Sequence, residues 1–195
     1  MFCKKQEVIF MNIKKALTFI AFGFLFTLVN VNLTFNGSTV NVMPDFVGWI
    51  LIYLSLGCLG DYVKDKQYLK VFALLIAVVK AALWLADIVK PEIDLETVKA
   101  ITGLADTVFM FIFFGIIEKI AEDHNSTRTD TIRTLKWFNV ISYIVLAVTG
   151  LLYDKMKLEF AAVIVLIAGL VAFVCAVITM FVLFGLRKEI NEKLA

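Results

Sequence analysis

The sequence predicts an all-α integral membrane protein with six transmembrane helices. Hydrophobic residues make up 61% of the 195 positions, whereas soluble domains contain about 45–50%. These residues are gathered in long apolar segments, and the basic residues between the segments fall mostly on alternate sides. A soluble core of this size could not bury so much apolar surface, so we expect the helices to face the lipid bilayer.

The six apolar segments define the expected spans within a single transmembrane domain, residues 1–195. Each segment is near or above the ~17–25 residues that cross a bilayer as a helix, and the second is the shortest. We expect consecutive helices to run antiparallel as three hairpins. The spans are 9–30, 44–60, 68–89, 98–117, 136–153 and 159–186.

The positions of lysine and arginine predict the orientation. Fourteen basic residues lie on the side of the N-terminus and four on the other, which by the positive-inside rule places both termini in the cytoplasm. The first span also resembles a secretory signal, but no small-x-small cleavage site follows it, so we interpret it as retained. Whether translation starts at Met1 or Met11 is left open. The net charge of +2 does not indicate a nucleic-acid partner.

Alternating apolar and polar residues predict a small extracellular β-hairpin between the first two helices. Two arms, 31–35 and 38–42, flank Asn36-Gly37, a pair that suits the positive φ angles of a type I′ turn. Folding about this turn places Leu33 opposite Val40 and Val31 opposite Val42 on one face, and Thr34 opposite Thr39 and Asn32 opposite Asn41 on the other. We expect the hairpin to cover the outer mouth of the bundle, and an irregular loop is the alternative.

The second helix is expected to begin at Pro44-Asp45. Proline suits the first helical turn, and a carboxylate there meets the positive end of the helix dipole. Asp45 is therefore either a helix-start residue or a contact for a cation or substrate at the outer mouth. Trp49 lies about one turn further, where interfacial aromatic residues collect.

Opposite charges on the third and fourth spans share one register. Lys80 lies about 15 Å from the predicted outer boundary, near the middle of a bilayer, where an unpaired charge is costly. Opposed residues of an antiparallel pair have a constant sum of positions, and three charge pairs share the sum 186: Lys80 with Asp106, Asp87 with Lys99, and Lys90 with Glu96.

The Lys80–Asp106 pair has two interpretations. It is either a structural lock that fixes the register of the two helices or part of a polar path that titrates during transport. Trp84, one turn from Lys80, is a candidate for a cation–π contact with the ammonium or for simple packing. On the sixth span, small residues at four-residue intervals predict close helix packing within the chain, between copies or with a membrane partner protein: Ala168, Ala172 and Ala176.

Catalytic and metal-binding motifs are not found in the sequence. The single histidine, His124, cannot form a multi-histidine zinc site, and the sequence contains no G-x-S-x-G element or P-loop. We therefore expect no enzymatic activity, cofactor or metal.

The segment Pro44-Asp45-Phe46-Val47-Gly48-Trp49 resembles a P-D-F-[IV]-G-[YW] pattern of small multi-pass membrane proteins of Gram-positive bacteria whose function is uncharacterised. Segments 104–106 and 115–118 are similar to that group as well. The resemblance implies a bacterial plasma-membrane protein and carries no activity with it.

Two functional hypotheses follow from the sequence. The first is a small-solute or ion transport component that uses the outer mouth and the Lys80–Asp106 pair. The second is a non-transporting scaffold or regulatory factor that acts through helix packing.

Overall fold

The described part of the chain is a bundle of six α-helices. A computed structural model describes residues 2–28, 32–35, 38–41, 44–89, 95–152 and 158–192. A 3₁₀ helix at Gly60–Lys66 connects the second and third helices, and two short strands follow the first. The helices are α1 Phe2–Leu28, α2 Asp45–Cys58, α3 Tyr68–Val89, α4 Glu96–Asp123, α5 Thr129–Leu152 and α6 Leu158–Glu192; the strands are β1 Asn32–Phe35 and β2 Ser38–Asn41.

The helices form a closed ring. Each helix packs against the next in sequence, and α6 packs against α1. The α3–α4 interface is the least extensive in the ring. Phe109, Phe113 and Phe114 of α4 are fully buried, so α4 supplies the large aromatic side chains at the centre of the bundle.

Three helices indicate a membrane protein. The segments Tyr68–Val89, Thr97–Asp123 and Ala162–Glu192 are long and apolar enough to cross a membrane. Their outward faces carry large apolar side chains, among them Leu75, Leu166 and Phe181, which are 58%, 72% and 71% exposed. Such a surface is unfavourable in water and favourable against lipid.

Most helices differ from their predicted spans at one end: α4 and α6 each end six residues later than predicted, and α5 begins seven residues earlier. Helix α1 begins at Phe2, seven residues before the predicted start, so the residues that precede the apolar segment are helical as well. Helix α2 has only 14 residues, which is about 21 Å of rise. The chain after Cys58 turns into the 3₁₀ helix through Gly60, whose φ of +50° is a conformation that glycine adopts without strain. Helix α2 therefore ends before the predicted boundary.

The two strands pair antiparallel, and β2 lies against α3. Their backbone register has the pairing expected from the sequence: Asn32 with Asn41, Leu33 with Val40, and Thr34 with Thr39. The predicted turn at Asn36-Gly37 and the predicted pair of Val31 with Val42 lie outside the described residues.

Candidate functional site

Three ionisable side chains occupy the inward-facing sides of consecutive helices. In α2, Asp45 precedes the buried Trp49 by one turn. In α3, Lys80 follows the buried Ala77 by about one turn, and in α4 Asp106 precedes the buried Phe109. Residues three or four apart share a helix face, so the three charged groups point into the bundle.

Lys80 binds both carboxylates. Its Nζ lies 2.9 Å from Oδ2 of Asp106 and 3.7 Å from Oδ2 of Asp45. The pair expected from the sequence is therefore present, and Asp45 joins it as a second acidic partner. We call these three residues the charge triad. The side chains of Lys80, Asp106 and Asp45 are 21%, 13% and 30% exposed. The charge triad can therefore be reached from outside the protein.

The charge triad has more acceptors than its lysine can satisfy. Oδ1 of Asp45 and Oδ1 of Asp106 are buried and accept no hydrogen bond from the described residues. A buried acceptor without a donor costs about 1–3 kcal/mol. With both carboxylates ionised, the triad carries one net negative charge. The geometry therefore suits an additional proton, cation or hydrogen-bond donor.

Aromatic side chains close the bundle one turn below the triad. Trp49 packs edge-on against Phe109, with ring centroids 4.9 Å apart, and Phe72 packs on the same ring at 5.7 Å. Trp49 is only 2% exposed and Phe109 is fully buried. Trp49, which we expected at the outer mouth, thus belongs to the core, because Phe109 offers it an aromatic partner. We call Trp49, Phe72 and Phe109 the aromatic floor.

A second aromatic pair flanks the triad. Trp84 lies one turn beyond Lys80 and packs against Phe46, with centroids 5.7 Å apart and planes at 64°. Phe46 is adjacent in sequence to Asp45. The triad is therefore framed by this pair and by the aromatic floor.

The other expected charge pair lies at the surface. Nζ of Lys99 donates to Oδ1 of Asp87 at 2.9 Å, and the two side chains are 51% and 56% exposed. Lys90 lies outside the described residues, so the third expected pair, Lys90 with Glu96, is not tested; the side chains of Glu96, Asn32 and Asn41 are likewise not described.

A polar network at the opposite end of the bundle was not anticipated from the sequence. Glu189 of α6 accepts hydrogen bonds from Ser126, Thr127 and Arg128, which connect α4 to α5. Glu118 of α4 accepts hydrogen bonds from two residues of α5, Arg133 and Lys136. Glu189 lies more than 60 residues from its donors in sequence, so no local motif reveals its contacts.

The small-residue face of α6 lies inside the bundle. Ala168, Ala172 and Ala176 are 7%, 8% and 2% exposed. Helix α6 packs on α5 and α1, so this chain's own helices cover that face.

No family model, curated protein or solved structure matches this chain.

Proposed function

We propose that the protein is a small transport component of the bacterial plasma membrane, in which the charge triad binds a proton during the transport of an ion or small solute. In this proposal all six helices cross the bilayer as antiparallel neighbours, the hairpin and the triad face outward, and both termini lie in the cytoplasm. The excess of basic residues on the same predicted side as the termini supports this orientation.

The main support for the proposal is that the triad contains two carboxylates and only one ammonium group. A structural lock needs one carboxylate for one lysine, and Asp106 at 2.9 Å already fills that role. Asp45 adds a second negative charge at 3.7 Å. An unpaired charge inside a bilayer costs at most about 2.5–3.5 kcal/mol on insertion scales, the value at the helix centre, so binding a proton at the triad would offset part of that penalty.

In this proposal the ammonium group of Lys80 pairs alternately with Asp106 and with Asp45. An ammonium on a four-carbon chain can move between acceptors a few ångströms apart by side-chain rotation. When Lys80 pairs with Asp106, Asp45 is the better proton acceptor, and the reverse holds when it pairs with Asp45. Movement of Lys80 would therefore couple proton binding to the relative positions of α2 and α4.

The aromatic floor supplies the barrier that a transporter needs. Trp49 and Phe109 are buried directly below the triad, so a solute that reaches the triad cannot pass without a rearrangement of these rings. An open path through the bundle would dissipate gradients rapidly, whereas a closed floor limits proton passage to the moments when these rings rearrange.

The scaffold hypothesis has less support. Its predicted contact surface, the alanine face of α6, is covered by the protein's own helices. A buried face offers no docking surface to a partner without unpacking the bundle.

The proposal is tested with purified protein in sealed phospholipid vesicles. A potassium diffusion potential, negative inside, is imposed with valinomycin, and proton uptake is followed with an internal pH-sensitive dye. We expect wild-type vesicles to acidify faster than empty vesicles, and Asp45→Asn and Asp106→Asn to lose most of the difference. Asp87→Asn, which removes an exposed carboxylate, is the matched control and should retain it.

The double variant Lys80→Met/Asp106→Leu decides between transport and structure. If its vesicles take up protons at the wild-type rate, the triad has no titrating role. Wild-type uptake equal to that of empty vesicles would also reject the proposal.

A further inference from the structure

A basic cavity lies between α1 and the end of α6. Its volume is about 280 Å³, and it is lined by Lys14, Phe184, Arg187, Lys188 and Asn191. The four residues from α6 are spaced three, four and seven apart, so they share one helix face. Lys14 is the contribution of α1.

The positive charge of this cavity is poorly neutralised. Lys14 donates to the amide oxygen of Asn191, a neutral partner. Nζ of Lys188 lies 3.7 Å from Oε1 of Glu192, but the two side chains are 79% and 64% exposed. The attraction within such an exposed ion pair is weak. Arg187 has no acidic partner among the described residues. The cavity therefore favours an anion.

The cavity continues into an apolar surface between the same two helices. Phe22 of α1 packs edge-on against Phe184 of α6, with centroids 6.3 Å apart. Phe22 lies two turns from Lys14, about 12 Å along α1, and is 44% exposed. A ligand that fills both parts has an anionic end and an apolar end.

We propose that this cavity binds the phosphate of an anionic phospholipid, with an acyl chain along Phe22 and Phe184. Arginine binds phosphate oxygens through two parallel N–H groups, and neither Arg187 nor Lys14 has an acidic partner in the described part of the chain. Basic pockets between transmembrane helices on the cytoplasmic side are suited to acidic head groups. The site does not involve the charge triad, so it stands apart from the proposed transport function.

Native mass spectrometry of the detergent-purified protein measures the affinity directly. The protein is titrated with phosphatidylglycerol, with phosphatidylcholine and with glycerol phosphate. We expect phosphatidylglycerol to bind at least tenfold more tightly than phosphatidylcholine, and glycerol phosphate to bind more weakly than phosphatidylglycerol because it lacks the acyl chain. Arg187→Gln/Lys188→Gln should reduce the affinity for phosphatidylglycerol by about tenfold or more.

Lys64→Gln/Lys66→Gln removes the same number of charges from the 3₁₀ helix and is the matched control. Equal losses in the two double variants would show non-specific attraction and overturn the site. Equal binding of the two lipids by the wild type would also overturn it, independently of any variant. Glycerol phosphate binding as tightly as phosphatidylglycerol would identify a site for soluble anions rather than lipid.

Discussion

Gly48 of α2 faces the backbone of Gly23 in α1 so closely that a Cβ on Gly48 would stand 2.5 Å from the carbonyl oxygen of Gly23. The same Cβ would lie 2.7 Å from a methyl group of Thr27. Small residues allow helix backbones to approach in this way. The contact fixes α2, and with it Asp45, relative to α1.

Substitution of Gly48 by alanine should destabilise the bundle. The nearest atom is backbone oxygen, which cannot move without shifting α1, so overpacking of this kind costs about 1–3 kcal/mol. Thermal unfolding in detergent, followed by circular dichroism, should show a lower midpoint.

Gly57→Ala is the control for that measurement, because Gly57 is in the same helix and a Cβ there meets no atom within 4 Å. Alanine is favoured over glycine in a helix by about 1 kcal/mol, so this variant should be neutral or stabilised. An equal loss in both variants would contradict the close approach of α1 and α2.

Gly185→Ala should have a smaller effect. A Cβ on Gly185 would overlap the guanidinium of Arg128, but a side chain can rotate away. The main loss is then the Arg128–Glu189 contact at 2.9 Å, whose side chains are 38% and 22% exposed, so we expect less than about 1 kcal/mol.

A double-mutant cycle with Glu189→Gln measures that contact. Glu189→Gln should destabilise the wild type more than it destabilises Gly185→Ala, since the ion pair is already broken there. Gly169→Ala, where a Cβ meets nothing within 4 Å, should leave the effect of Glu189→Gln unchanged. Full additivity for Gly185→Ala would show that Arg128 does not lie over Gly185.

Loss of Lys80 alone should destabilise the protein more than loss of Lys80 together with Asp106. Lys80→Met leaves two carboxylates without a cation, and breaking a buried ion pair costs about 3–5 kcal/mol. Lys80→Met/Asp106→Leu removes one of those carboxylates and should recover part of the loss. Unfolding by denaturant in mixed micelles provides the comparison, and a double variant less stable than Lys80→Met would contradict the pairing.

Tyr62 of the 3₁₀ helix should titrate unusually late. Burial and the hydrogen-bonded carboxylate of Asp123 raise the pKa of Tyr62 to about 12. The unfolded chain has an ordinary phenol pKa near 10, so between those values the folded state holds the proton more tightly and stability falls as pH rises. Below pH 10 this group contributes no pH dependence.

Ultraviolet absorbance of the tyrosinate measures this titration, and Tyr62→Phe identifies the late component. Asp123→Asn should move that component to lower pH, because it removes the neighbouring negative charge. A late component that is unchanged in Tyr62→Phe would belong to another tyrosine and would refute the assignment.

The sequence predicted contacts that depend on helix register and missed contacts that depend on how a short helix is placed. Lys80 and Asp106 lie on antiparallel helices joined by a short connection, so their positions in the sequence are enough to predict that their side chains are in contact. The same arithmetic applied to α2 and α3, from Cys58 and Tyr68 outward, places Asp45 close to Lys80. Asp45 also has a local explanation as a helix-start residue, so its position in the sequence does not by itself indicate the contact with Lys80.

The burial of Trp49 could not be predicted from the sequence for a different reason. The preference of tryptophan for membrane interfaces is a statistical property of the residue, whereas its place in this bundle is decided by Phe109 on α4. That contact joins residues 60 positions apart. Packing between distant helices overrides the preference of a single residue, and one sequence does not encode it locally.

The shortness of α2 affects how a membrane voltage would fall across the protein. A helix of 14 residues rises about 21 Å, against a hydrocarbon thickness of about 30 Å. If water reaches Asp45, the insulating layer is reduced to the rings of the aromatic floor and the residues below them. An elementary charge that crosses this thin layer would traverse most of the electric field, worth about 2.3 kcal/mol for each 100 mV.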